Sequence, residues 1–168
     1  LELRKSFKGN WRGHSDTETI LEVIEQIGVE KALTNFVGMF AIAVWDSEKS
    51  ELTLARDRIG EKPLYYGWVD KDFVFASELK AIKQFPNFNN CISKAALGNF
   101  LKLNYIPAPQ SIYEDIFKLE KDELKKIREN FSAEKINDTD TLRIIKDFFI
   151  NYGFILDPHT ATAVGASY

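Results

Sequence analysis

The residues that first suggest chemistry are His14, Ser15 and Asp16, in the run GHSDTETIL over residues 13–21 that opens an apolar helix. A carboxylate in the first turn of a helix is kept ionised by the positive end of the helix dipole and by backbone N–H groups without intrahelical acceptors. Asp16, so placed, suits the α-ammonium group of an amino-acid ligand. The same spacing serves a plainer purpose, because Asp16 beside Ser15 also supports the helix start, and from spacing alone that is the commoner role. His14 is likewise more often a hydrogen-bonded structural residue than a base. With His14 and His159 the only histidines, no histidine cluster at metal-ligand spacing exists.

Two other places have residue types that could do chemistry. Arg56-Asp57-Arg58 and Glu61-Lys62 invite an anion site, yet alternating opposite charges in a turn usually pair with one another. Gly60-Glu61-Lys62-Pro63 lacks the glycine spacing and the Ser or Thr of a phosphate-binding loop, so the stretch reads as structural. Cys91 lies in an Asn-rich loop with no histidine nearby in sequence, the setting of an inert filler. As the single cysteine it makes no internal disulfide, which fits a reducing, cytoplasmic setting. Lys and Arg total 22 against 25 Asp and Glu, so the net charge of -3 gives no electrostatic reason for a nucleic-acid partner. No apolar run is long enough to cross a bilayer, which argues against a membrane partner.

The elements that must position these groups follow from period and caps. The 168 residues, 45% hydrophobic, suffice for a packed core. Residues 1–12, with Leu1, Leu3, Phe7 and Trp11, suit the end of a helix followed by a short strand. Ser15 and Glu18 read as a capping box, and Ile20, Leu21, Val23, Ile24 and Ile27 follow at helical spacing to Gly28. A helix over Asp16 to Ile27 that buries all of these aliphatics is expected, with a second short one over Glu30 to Asn35. From Phe36 the period is two, with Val37, Met39, Ala41, Ala43 and Trp45 on one face and Phe40, Ile42 and Val44 on the other, which predicts a central strand. Strands over Leu52 to Arg56, Leu64 to Val69 and Phe73 to Ser77 then complete an antiparallel meander. Ser77 is expected to cap a helix ending near Ile82, and Ser93 one carrying Leu97, Phe100 and Leu101; Ile112 to Leu119 suits one more strand. Composition shifts at Glu120 into a charged run over 121–129 whose Leu124, Ile127 and Phe131 form a thin helical stripe. A stronger helix is expected over Thr139 to Tyr152, stopped by Gly153.

GHSDTETIL (13–21), VGMFAIAVWD (37–46), LARDRIGEKPLYYGW (54–68), FASELKAI (75–82) and YIPAPQSIY (105–113) together resemble the glutaminase domain of glutamine-hydrolysing asparagine synthetases, over residues 1–119. The resemblance implies an α+β fold, an incomplete N-terminal-nucleophile hydrolase antiparallel β-sandwich with flanking helices. In that family the domain releases ammonia from glutamine, and a second domain uses ATP and Mg to couple it to aspartate. The family nucleophile is a cysteine exposed as the first mature residue. That cysteine, the upstream arginine segment and an Asn-Gly motif all precede Leu1 in the family pattern, so an N-terminally truncated fragment, inactive alone, is expected. The resemblance makes Asp16 the ligand for the glutamine α-ammonium. Expected partners are glutamine, a synthetase domain and a homodimer mate covering bare strand edges; no cofactor is expected in this chain.

Residues 120–168 read as a separate, short, mainly helical tail. LKKIRENFSA (124–133), DTDTLRIIKDFF (138–149) and YGFILDPHTATAVG (152–165) resemble the C-terminal end of threonine synthase, with the junction near Glu120. That family uses pyridoxal phosphate on a lysine far upstream of this region, which leaves His159 and Thr160 as secondary site candidates. Two alternatives stand beside the leading one: a non-catalytic module binding an amino acid or a partner, and a threonine-synthase fragment with pyridoxal phosphate.

Overall fold

The computed structural model describes residues 2–121, 124–127, 142–143, 145–147 and 150. Backbone contacts divide the chain into two units, residues 1–45 with 52–127, and residues 46–51 with 128–168.

In the first unit three helices come first: α1 (Glu2–Ser6), α2 (Asp16–Ile27) and α3 (Val29–Asn35). Ser15 caps α2 as its type and place require, its Oγ accepting the Glu18 N–H at 3.2 Å. Gly28, at φ 79, ends the helix and returns its own N–H to the Ile24 carbonyl. Val23, Ala32 and Phe36 form the buried centre of this region, with Leu3, Phe7, Ile20, Ile24, Ile27, Phe40 and Ile42 packed around it. Leu21 departs from expectation and is 56% exposed, while Thr19 is buried. Two residues from Val23, Leu21 faces the far side of a 3.6-residue turn.

β1 (Ala41–Asp46) is shorter than the sequence suggested and is an outer strand in the order β1-β2-β6 among the described residues. Phe36 closes α3, Gly38 takes φ 119, and Val37 and Met39 are exposed, so the extended segment begins late. The central strand is instead β2 (Glu51–Arg56), whose Leu54 is fully buried.

The expected meander is in fact two sheets. In the second, β3 (Tyr65–Val69) pairs antiparallel with β4 (Asp72–Ala76) on one side and with β5 (Ile116–Lys118) on the other. β5 covers only part of the strand foreseen over 112–119. Gly67 permits its close approach, since a Cβ there would overlap the Asp115 carbonyl oxygen. One face of this sheet packs Val69, Val74 and Ile116 against Ile82 of α4 (Leu79–Ile82). Glu78, without a side-chain cap bond, precedes α4 in place of Ser77. The other face carries Tyr66, Trp68, Phe73, Phe75 and Phe117, with the Trp68 and Phe73 rings edge-on at 5.2 Å. α5 (Lys94–Leu103) starts at Ser93, whose Oγ accepts the Ala96 N–H, and stops at Asn104 in the left-handed conformation.

The charged run after Glu120 holds a strand, not the expected helix. β6 (Leu124–Ile127) lies antiparallel to β2, with Leu52 opposite Ile127 and Ala55 opposite Leu124. The open backbone edge of β2 supplies N–H and C=O partners that outweigh a thin apolar stripe. From β6, Lys125 places its ammonium over the Tyr66 ring at 5.3 Å. The result is the α+β architecture with antiparallel sheets.

In the second unit Asp46 Oδ1 accepts the N–H groups of Glu48 and Lys49, closing the turn between β1 and β2. Residues 142–143, 145–147 and 150 are helical, inside the helix foreseen over 139–152. Phe131, Gly153, His159, Thr160 and most of the threonine-synthase-like segment lie outside the described residues.

Candidate functional site

Asp16 is the first residue of α2 and is exposed, together with Gly13, His14 and Ser15 before it. Among the described residues no hydrogen bond or ion pair engages its carboxylate. The backbone around it is, by contrast, held by two side chains, Arg4 and Glu18. Arg4 of α1 donates from Nη1 to the Gly13 carbonyl at 2.6 Å and from Nη2 to the Ser15 carbonyl at 2.8 Å. Its Nε donates to Thr19 Oγ1 at 2.6 Å, and Nη2 also reaches Glu18 Oε2 at 3.0 Å. The guanidinium stacks 4.6 Å from the Trp11 ring centre.

Glu18 does not complete the expected capping box on the Ser15 N–H. Its carboxylate turns back to the loop and accepts the Arg12 and Gly13 N–H groups, the latter at 3.1 Å to Oε2. The Arg12 N–H, then Gly13 and the Arg4 charge, hold the Glu18 carboxyl below its ordinary range against a smaller opposing effect of desolvation. The arrangement therefore fixes the backbone of residues 12–15, and the Asp16 carboxylate takes no part in it. Nothing in the sequence marks Arg4, because it acts across nine to fifteen positions with no period.

The charged stretch at 56–62 is differently built. Arg56 and Asp57 are buried, and the expected pairing of neighbouring charges gives way to pairing with backbone. Arg56 donates to the Leu119 carbonyl at 2.7 Å and to the Gly60 carbonyl, while its buried Nε finds no acceptor among the described residues. Asp57 Oδ1 accepts the Gly60 N–H at 2.7 Å and the Glu61 N–H at 3.0 Å, and Oδ2 accepts that of Lys62 at 3.0 Å. Burial alone would raise the Asp57 carboxyl; the Lys62, Glu61 and Gly60 N–H groups overcome it and hold the carboxyl below its usual value. Arg58 reaches the Thr34 carbonyl. The Asp57 carboxylate and most of the Arg56 guanidinium are thus spent on architecture.

Cys91 is exposed in the segment between α4 and α5. A shallow groove of about 310 Å³ lies by Ser93, Gln110, Ser111, Glu114 and Phe117, none of them from the Asp16 loop. Its Gln110 already accepts from Asn99. Among the described residues no group of His, Cys, Asp and Glu is arranged to hold a metal ion, and no helix is long and apolar enough to cross a membrane.

Residues 1–136 match the family described as glutamine amidotransferase domain. Among characterised sequences, the chain is similar to the putative asparagine synthetase (glutamine-hydrolyzing) 2 of Methanocaldococcus jannaschii, 39% identical over 123 residues, covering 71% of this chain and 24% of that protein. It is also similar to asparagine synthetase (glutamine-hydrolyzing) 1 of Bacillus subtilis, 32% identical over 123 residues, 71% of this chain and 19% of that protein. A shorter stretch of 84 residues is 43% identical to the putative asparagine synthetase (glutamine-hydrolyzing) 1 of M. jannaschii, covering 49% of this chain and 15% of that protein. The chain thus spans a quarter or less of the length of these relatives.

Proposed function

Because this chain belongs to the glutamine amidotransferase domain family, we propose that its residues 13–18 form the part of a glutamine site that receives the α-ammonium group, with Asp16 as the counter-charge. One observation carries this reading: the Asp16 carboxylate is exposed and unengaged among the described residues, beside a loop whose Gly13 and Ser15 carbonyls and Arg12 and Gly13 N–H groups are held by Arg4 and Glu18. The first turn of α2 favours a negative charge, and a carboxylate standing there turns a place suited to anions into one suited to a cation. An ammonium–carboxylate hydrogen bond is charge-assisted and directional, which distinguishes an amino acid from its deaminated analogue.

The wider role follows from the relatives, which are named as glutamine-hydrolysing asparagine synthetases. In this proposal ammonia from glutamine serves a synthetase domain that amidates aspartate with ATP and Mg, in the cytoplasm. Residues 1–119 of this chain take the glutamine-binding part. The one cysteine, Cys91, stands between α4 and α5 and is given no part in breaking the amide bond.

The test is isothermal titration of L-glutamine into the chain and into its Asp16→Ala variant. Saturable heat that weakens by more than about tenfold in the variant is expected for loss of a charge-assisted bond. Absence of any saturable heat with the unaltered chain overturns the reading.

A further inference from the structure

We infer that Arg4 is a positioning residue for the Asp16 site: it holds the loop that presents Asp16 and, by pairing with Glu18, keeps Asp16 unpaired. The inference rests on the Asp16 reading above and adds to it the device that shapes the site. Four of the five guanidinium N–H donors are accounted for by Gly13, Ser15, Thr19 and Glu18. The two carbonyls flank His14 and close the turn directly before Asp16, so their capture sets the direction in which the chain enters α2. Thr19 Oγ1, which accepts from Arg4, donates in turn to the Ser15 carbonyl at 3.3 Å, tying the same carbonyl twice.

The clamp is delivered by a fixed support. α1 is short, yet Leu3 and Phe7 on either side of Arg4 pack on the Val23, Ala32 and Phe36 core, and Trp11 covers the guanidinium face. The Arg4 side chain is accordingly only 12% exposed. A cation so close to the start of α2 would by itself draw the Asp16 carboxylate and fill the place of a ligand ammonium. Glu18 prevents this by taking the guanidinium at 3.0 Å. Its second task, binding the Arg12 and Gly13 N–H groups, pins the other side of the same loop. Between them the two residues hold both polar edges of the loop and cancel each other's charge.

The charge alone does not do this; the planar fork does, since a lysine ammonium cannot reach two carbonyls, a hydroxyl and a carboxylate in fixed directions. Arg4→Lys is therefore the informative variant, studied with Asp16→Asn and the double variant by L-glutamine titration, well below each melting midpoint. Arg4→Lys is expected to weaken glutamine binding by about tenfold in the unaltered background and by less than about twofold beside Asp16→Asn, because residues acting through one another are not additive. Amide exchange at Gly13 and Glu18 should rise in Arg4→Lys while that of β3 and β4 stays as it was, a pattern that general destabilisation does not produce. Equal weakening in both backgrounds, or unchanged exchange at Gly13 and Glu18, overturns the inference and leaves the Asp16 reading standing. No uptake of glutamine by the unaltered chain overturns both.

Discussion

The loops at 12–18 and 56–62 use the same parts, an arginine on backbone carbonyls and a carboxylate on backbone N–H groups, with opposite results. At 56–62 the carboxylate and the guanidinium are both buried, Asp57 at 2% and Arg56 at 8% exposure, and their bonds close on the loop itself. At 12–18 the guanidinium is also largely covered, 12% exposed under Trp11, but its carboxylate partner Glu18 is 26% exposed, and a second carboxylate, Asp16, stands in solvent. Burial makes the first arrangement an element of stability, because unmade bonds there have no water to replace them. Exposure makes the second an ordered surface loop, in which water can replace a bond that is lost.

The largest effect expected from this difference is at Asp57. Asp57→Ala removes one acceptor from three N–H groups inside the fold and should cost about 3 kcal/mol in denaturant unfolding. The sign of its pH dependence follows from the lowered carboxyl: the folded state holds the proton less tightly than the unfolded chain, so the contribution is complete above about pH 4 and fades as pH falls through the lower folded value. Stability of the unaltered chain should thus drop on acidification below about pH 4, and Asp57→Ala should flatten part of that drop. A variant as stable as the parent would mean that the buried carboxylate is replaceable by water, and the contrast between the loops would collapse.

What the sequence disclosed divides along the same line between local and distant causes. α2 was legible along its whole length and α5 at its start, because Ser15 and Ser93 cap them and their apolar period is internal. β6 was not, since residues 124–127 are a strand only because β2, some seventy positions earlier, presents an open edge. The division of the meander into two sheets has the same origin: the 57–64 stretch between β2 and β3 is tied by Arg56 and Asp57 to Leu119 and to its own backbone. The place of Asp16 in the first turn of α2 was legible from Ser15 and the apolar period that follows. Arg4 was not, because an arginine that binds carbonyls nine and eleven residues ahead leaves no pattern in the chain.

A middle-sized effect is expected at Ser15, the one conventional cap in the exposed loop. Ser15→Ala deprives the Glu18 N–H of its acceptor and should cost about 1 kcal/mol by the same unfolding measurement. The loss stays below that at Asp57 because water reaches the helix end and Arg4 still holds the Ser15 carbonyl. A loss equal to that of Asp57→Ala would show that the presenting loop is as integral to the fold as the buried one.

The smallest effect should come where opposite charges meet in solvent without a backbone group between them. Lys126 of β6 contacts Glu30 of α3 at 2.8 Å, with the two side chains 37% and 71% exposed. The pair spans distant parts of the sequence and would be taken for a brace on β6. Such pairs gain little, since water screens the attraction and two long side chains lose freedom in making it. β6 is held instead by its backbone ladder to β2 and by the buried Ile127. Lys126→Ala is therefore expected to leave the melting midpoint unmoved within reproducibility, at both low and high salt. A clear fall that salt abolishes would place real weight on an exposed pair, and charge rather than burial would then be what separates the two loops.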